Sequence, residues 1–284
     1  MDGLYLKLKN IKSFSFKLFG GGDVKYDENY SADDLIFGGE VSGDFFSKKL
    51  HLALSYVIKL DGAYITKELA GFEAEYEIPN IIRFYNETQY NLINENISYN
   101  LIGFRYFRNP KWSLTMEYLY SLPVFETTSI YSVFAVDEYE EFYTELTYNF
   151  TDSIHTYFTY TREFYEEYSD ANVYEIGIEK LRTNKFKGYA ALTYRDDEDG
   201  GDLKGVKLFG SYFFHRYADV GAGIHYDIVE RSLEDYDDTT SKRYWIVVTS
   251  YFTKKIYTDV KLERIESARY DYYDSAKFKL NIIF

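Results

Sequence analysis

The sequence contains no cysteine, only three prolines, and no uninterrupted apolar run of the roughly 18 residues that a membrane-crossing helix needs. The first absence excludes a disulfide framework, a thiolate metal site and a cysteine nucleophile. The last excludes a transmembrane helix, and no apolar segment of the secretory type follows Met1. The expectation is that an export signal has been removed and that Met1 stands in its place. Histidine is scarce too: His51, His155, His215 and His225 are scattered, with no pair at ligand spacing, so no metal site is expected. No G-x-S-x-G or comparable signature accompanies them, and His215 beside Arg216 reads as a polar residue near a turn. The chain is therefore not expected to be an enzyme, nor to carry a cofactor. Gly20-Gly21-Gly22 lacks the lysine of a phosphate-binding loop and reads as flexible backbone. Bases are outnumbered, 32 Lys and Arg against 46 Asp and Glu, and a net charge of −14 argues against nucleic acid as a partner.

What the sequence has in excess is aromatic side chains, 33 Tyr and 23 Phe. These favour strands and the membrane-water interface, where barrels carry aromatic girdles. The negative mean hydropathy does not argue for solubility, because barrel strands are only half apolar. Apolar residues recur at every second position along most of the chain, which places them on one face of a strand. Leu50, Leu52, Leu54, Tyr56 and Ile58 interleave with His51, Ala53, Ser55 and Lys59; Phe72, Ala74, Tyr76 and Ile78 interleave with Gly71, Glu73, Glu75 and Glu77. Trp112, Leu114, Met116 and Tyr118 alternate with Ser113, Thr115 and Glu117, and Val220 to Ile228 alternate with Asp219, Gly221, Gly223, His225 and Asp227.

Short turn signals recur near Lys48, Pro79, Pro110, Asp152, Asn184, Tyr217 and Lys254, about 31 to 42 residues apart, the length of one hairpin of bilayer-crossing strands. Longer connections fall at the opposite end: residues 23–34, 60–64, 92–97, 121–139, 166–171, 196–202, 232–241 and 267–273. Seven turns joining eight hairpins predict an all-β, antiparallel up-and-down transmembrane barrel of about 16 strands, one domain over residues 1–284, with both termini at the short-turn end. Pro79, Pro110 and Pro123 fall in turns and a loop, where no ladder N–H is lost. Phe14, Phe16 and Leu18 begin the first spanning strand; Leu4, Leu6 and Leu8 either extend it past a bulge or form a separate short strand.

The last eight residues alternate most plainly, with Phe278, Leu280, Ile282 and the final Phe284 on one face and Lys277, Lys279 and Asn281 on the other. This stretch resembles the terminal strand of bacterial outer-membrane β-barrel proteins. The resemblance implies that Phe278, Leu280, Ile282 and Phe284 are a signal read by the barrel assembly machinery. It also implies a Gram-negative outer-membrane location, with the lipid bilayer and its lipopolysaccharide as surroundings.

Periodicity alone does not separate a soluble sandwich, whose charged face is outside, from a membrane barrel, whose charged face is the lumen. The aromatic excess, the terminal strand and the lack of helices to cover so large a sheet favour the barrel. On that parity the lumen gathers Glu40, Asp44, Glu73, Glu75, Glu77, Glu87, Glu117, Glu145, Glu175, Glu179, Asp219, Asp227, Asp259 and Glu263. Facing them are Lys17, Lys59, Arg83, Arg105, Lys187, Lys207, Lys261 and Lys279. Sixteen strands enclose water, so such charges stay hydrated. The expected function is a porin-like channel for small hydrophilic solutes and ions, cation-preferring because acids exceed bases, with Glu73, Glu75 and Glu77 the strongest candidates. The alternative is a non-conducting sheath that encloses or docks a protein partner, for example as a porin–cytochrome electron conduit. The connection 121–139 discriminates them: its apolar run Ile130, Val133, Phe134 and Val136 is a constriction if folded inward, or itself a strand. The acidic clusters at 196–199 and 234–238 lack the ligand spacing of a calcium loop and read as solvated loop tips.

Overall fold

Every regular element of the computed structural model is a β-strand, seventeen among the described residues, which are all but 1, 12, 23–33, 63, 124–137, 167–168, 182–184, 199–201, 215–216, 230–238, 268–269 and 284. The chain divides into two compact units. In the first, β1 (Asp2–Ile11), β2 (Phe14–Gly22), β3 (Leu35–Phe45), β4 (Leu50–Asp61), β5 (Tyr64–Ile78), β6 (Ile82–Asn91) and β7 (Asn96–Tyr106) pair antiparallel, each with the next. Parts of β8 (Trp112–Ser121) and β9 (Tyr139–Thr151) belong to each unit.

The second unit holds most of β10 (Ile154–Tyr165) and then β11 (Ala171–Lys180), β12 (Phe186–Asp197), β13 (Leu203–Phe214), β14 (Ala218–Val229), β15 (Thr239–Tyr251), β16 (Ile256–Ser267) and β17 (Tyr270–Ile282). These too pair antiparallel, each with the next.

Alternation fixes the register. On one face of β4 and β5, Leu50, Leu52 and Leu54 stand opposite Tyr76, Ala74 and Phe72; on the other, His51, Ala53 and Ser55 stand opposite Glu75, Glu73 and Gly71. A slip by one residue would set glutamates among leucines along the whole ladder, so the pattern specifies its own pairing. The short turns fall where the sequence places them, at 46–49, 79–81, 107–111, 152–153, 181–185, 215–217 and 252–255, although 182–184 and 215–216 lie outside the described residues.

Of the two alternatives left open for residues 1–10 the separate strand is the one formed, and two other expectations need correction. The run from Asp2 to Ile11 is a strand of its own, folded back on β2 so that Asp2 stands opposite Gly22 and Leu6 opposite Leu18, with a register shift between Leu8 and Ile11. It raises the count from about 16 to seventeen, and the odd strand reverses one end. The chain enters at the long-loop end, beside Gly22, and leaves β17 at the short-turn end, where Ile282 stands opposite Ile256; the termini do not share an end. Second, 60–64, 92–97 and 267–273 are not long connections: 92–95 between β6 and β7 is no longer than the turn 46–49. Only 62–63 separates β4 from β5, and only 268–269 separates β16 from β17, because the strands continue further than their hydrophobic pattern. The apolar run at 130–136, the loop cluster at 234–238 and Phe284 lie outside the described residues.

Burial is inverted relative to a soluble fold. Among the described residues the buried apolar side chains are three small alanines, Ala53, Ala171 and Ala191, whereas Lys59, Asp219 and Glu263 are only 8 to 9% exposed. Leu54, Leu192 and Phe278 are 63%, 57% and 71% exposed. Large apolar side chains cover the outer face of each unit and polar ones gather on the other. A sandwich core would have the reverse, so burial settles what periodicity left open.

Candidate functional site: the polar walls

The polar face of the first unit is built by residues that alternate with outward Leu, Ile and Phe, and ladder partners bring their charges side by side. Lys17 is directly opposite Glu40 and its Nζ donates to that carboxylate at 2.6 Å. Asp44 is opposite His51, with Nδ1 and Oδ1 2.8 Å apart. Arg83 stands opposite Glu77 and beside Arg105, and donates to Glu75 at 2.7 Å. Its guanidinium also lies 5.4 Å from the centre of the Tyr85 ring, and Tyr85 Oη donates to Glu117. Lys59 is buried near the long-loop end, opposite Lys67.

The three successive glutamates of β5 are therefore not equivalent. Glu75 is neutralised by Arg83, and Glu77 shares that arginine as its ladder partner. Glu73 instead stands opposite Glu87, and neither carboxylate has an ion-pair partner among the described residues. Two facing carboxylates without a cation partner leave uncompensated negative charge at this point of the first wall, which the single-strand pattern did not show.

The second wall is more closely paired. Glu175 accepts from Lys207 at 2.6 Å, from Thr193 at 2.8 Å and from Tyr157 at 2.8 Å. Glu179 lies 3.3 Å from His155, and Ser211 donates to the buried Asp219 at 2.6 Å. Asp259 accepts from Thr249 at 2.8 Å and Asn281 at 2.9 Å. Thr147 donates to Glu145 at 3.1 Å. Glu263 accepts from Lys261 at 2.9 Å and from Arg243, so one buried carboxylate holds two cations. Lys187 is opposite Ser211, Asp227 opposite Gly205, and Lys279 opposite Asp259.

All the predicted wall residues thus fall on the polar face of their unit. Sequence reasoning missed others there. Lys7 (opposite Lys17), Lys67, Arg195 (donating to Glu163 at 2.5 Å), Arg243 and Lys277 are cations, and the accompanying missed acids Asp61, Glu141, Glu163 and Asp197 are fewer. The acidic excess is accordingly smaller than the sequence suggested. Arg195 was legible, two residues beyond Thr193 in the same alternation. Arg243 was not, because Tyr244, Trp245, Ile246, Val247 and Val248 are large and mostly apolar on both faces and conceal the period.

Aromatic rings on these walls lie against glycines of neighbouring strands. A side chain at Gly103 would strike Tyr85, one at Gly177 would strike Tyr157, and one at Gly223 would strike Trp245. Here the missing side chain is the space that the ring occupies. Among the described residues no group of three His, Asp or Glu is arranged to hold a metal ion.

No family model matches the sequence, and no curated protein matches it. Among solved structures the fold is similar to that of Wzi, an outer-membrane protein involved in group 1 capsule assembly in Escherichia coli and described as a carbohydrate-binding β-barrel. The TM-score is 0.51 at 12% identity, over 99% of this chain and 78% of that one. It is similar also to a loop-deletion mutant of OmpT, an outer membrane protein of Vibrio cholerae, with TM-score 0.51 at 11% identity over 95% of this chain and 96% of that one. At such identities the likeness speaks to fold alone, and it agrees with the strand order and the inverted burial: the chain is an antiparallel up-and-down β-barrel of the outer-membrane type.

Proposed function

We propose that this barrel resides in a bacterial outer membrane and acts as a porin-like channel through which small hydrophilic solutes and ions diffuse passively. The observation that carries the reading is the polar face. A barrel that only had to fill its interior would use packed apolar or uncharged side chains. Here each unit instead lays out a dense set of carboxylates, lysines and arginines, many in ion pairs along the ladder; Lys59, Asp219 and Glu263 are buried, and the others stay within reach of water.

Selectivity follows from which charges remain uncompensated. Lys17, Arg83, Arg195, Lys207, Arg243 and Lys261 each have a carboxylate within hydrogen-bond distance, whereas Glu73 and Glu87 face one another without a cation partner among the described residues. Carboxylates at such a point lower the energy of a passing cation and raise that of an anion, an effect that salt screens. The channel is therefore expected to prefer cations, modestly. On the outer face, the terminal strand's Phe278 and Leu280 serve as part of the signal by which assembly machinery recognises the chain. No catalytic step is part of this reading.

Planar-bilayer recording of the purified protein tests it. Discrete conductance steps, with a reversal potential of cation-selective sign in a salt gradient, are the expected result. A barrel that is folded and inserted but never conducts would refute the channel and leave a sheath that houses a partner.

A further inference from the structure

One feature of the second wall is not needed for ion passage. Tyr189, Phe209, Gly223, Trp245 and Glu263 are successive ladder partners and so form one lateral row across five strands. The rings in this row are close to parallel: Tyr189 and Phe209 have centroids 5.7 Å apart at 28°, and Phe209 and Trp245 6.2 Å apart at 10°. Glycine makes that possible. Trp245 covers Gly223, and a side chain at Gly221 would meet the Phe209 ring at 3.0 Å. The rings are therefore laid down on the bare backbone of β14 in place of standing away from the wall. His225 fixes the arrangement, with its ring edge-on to Trp245 at 4.7 Å and Nε2 3.2 Å from Tyr189 Oη.

Polar groups of both signs border this pavement. Lys207 and Arg243 lie in the next row on the long-loop side, and Lys261 on the short-turn side. Arg243 and Lys261 sit 5.6 and 5.8 Å from the Trp245 ring centre. Lys187 shares the short-turn row with Lys261, and Glu179 stands opposite Tyr189 at the other end of the ring row. Lys207 is held by Glu175, and Arg243 and Lys261 by Glu263. Such paired groups around flat apolar rings offer donors and acceptors together with a stacking surface, which suits a ring that is apolar on its faces and hydroxylated round its edge.

We propose that Tyr189, Phe209 and Trp245 form a stacking track for saccharides, on which sugar rings lie while their hydroxyls exchange hydrogen bonds with the rim. The inference rests on the polar face being a channel interior, and it names the solute class that this channel favours.

The protein has two tryptophans, so Trp112→Phe leaves Trp245 as the sole source of tryptophan emission. The refolded full chain with that substitution is titrated with maltohexaose while Trp245 emission is followed, and current through the wild-type channel is recorded with the same sugar. The expected result is a saturable emission change and a sugar-dependent current block. Phe209→Ala and, separately, Tyr189→Ala should each weaken both by about three- to tenfold, the effect of losing one aromatic contact. The heat-dependent gel mobility of each variant reports folding, and the tyrosine variant leaves the glycine cover intact. Normal conductance with neither emission change nor block would overturn the saccharide track while sparing the channel. A saturable emission change in a protein that does not conduct would uphold the track and sink the channel reading. Absence of both overturns both.

Discussion

Leu192→Arg is the sharpest test of which face meets lipid. Leu192 lies midway along β12, between Ile176 and Val206 on the neighbouring strands, and 57% of it is exposed. An arginine on the lipid face at the bilayer midplane costs about 2–4 kcal/mol, falling to about 0–1 kcal/mol near the interfaces. At about 1.4 kcal/mol per tenfold, the folding equilibrium should shift by roughly 30- to 700-fold. Two companions calibrate it. Phe214→Arg, also outward but at the last residue of β13, should cost no more than about 1 kcal/mol. Thr193→Arg, one residue away on the polar wall, loses the 2.8 Å bond to Glu175 but brings a cation to the same carboxylate, so its net effect should stay within about 1 kcal/mol. Reversible denaturant unfolding from lipid vesicles, followed by tryptophan emission, measures all three. If Thr193→Arg cost as much as Leu192→Arg, or if the latter cost nothing, the assignment of faces would be inverted.

Three further outcomes are expected. Phe278→Ser combined with Leu280→Ser should sharply reduce the amount of barrel inserted in the outer membrane with synthesis unchanged, read from fractionated cells; normal insertion would remove the terminal strand's role as an assembly signal. Glu73→Gln with Glu87→Gln should move the reversal potential toward zero, and more so at low salt than at high. The same change at Glu75, which Arg83 already neutralises, should move it less, and equal shifts would show that local pairing does not set selectivity. Gly223→Val should destabilise the fold by about 1–3 kcal/mol, because its side chain occupies the place of the Trp245 ring, and an unaltered unfolding midpoint would show that the ring is free to leave.

How much of this was legible in the sequence depends on whether the information is local. Strand positions, the short turns and the face of nearly every charged residue come from a period-two pattern that each strand carries within itself, so Glu117 or Asp259 could be placed without knowing any neighbour. The pattern fails where both faces are large and apolar, as from Tyr244 to Val248, and Arg243 and Trp245 were lost with it. What a residue does on the wall is another matter, since that depends on the ladder. Glu73, Glu75 and Glu77 look alike along β5, yet the first is opposite Glu87, the second is bonded to Arg83 and the third is opposite that same arginine.

The aromatic rings show the same limit more strongly. Gly223 on β14 and Trp245 on β15 are 22 residues apart in the sequence, and neither signals the other until register sets them side by side. A glycine in a strand reads as a weakness when taken singly. Opposite a tryptophan it is the space that lets the ring lie against the backbone, and the same relation recurs at Gly103 with Tyr85 and at Gly177 with Tyr157. Three repetitions on separate ladders argue that these glycines are positioned to lay rings along the wall. The alternation of each strand thus builds the barrel, whereas pairs of strands read together decide which groups meet on its polar face.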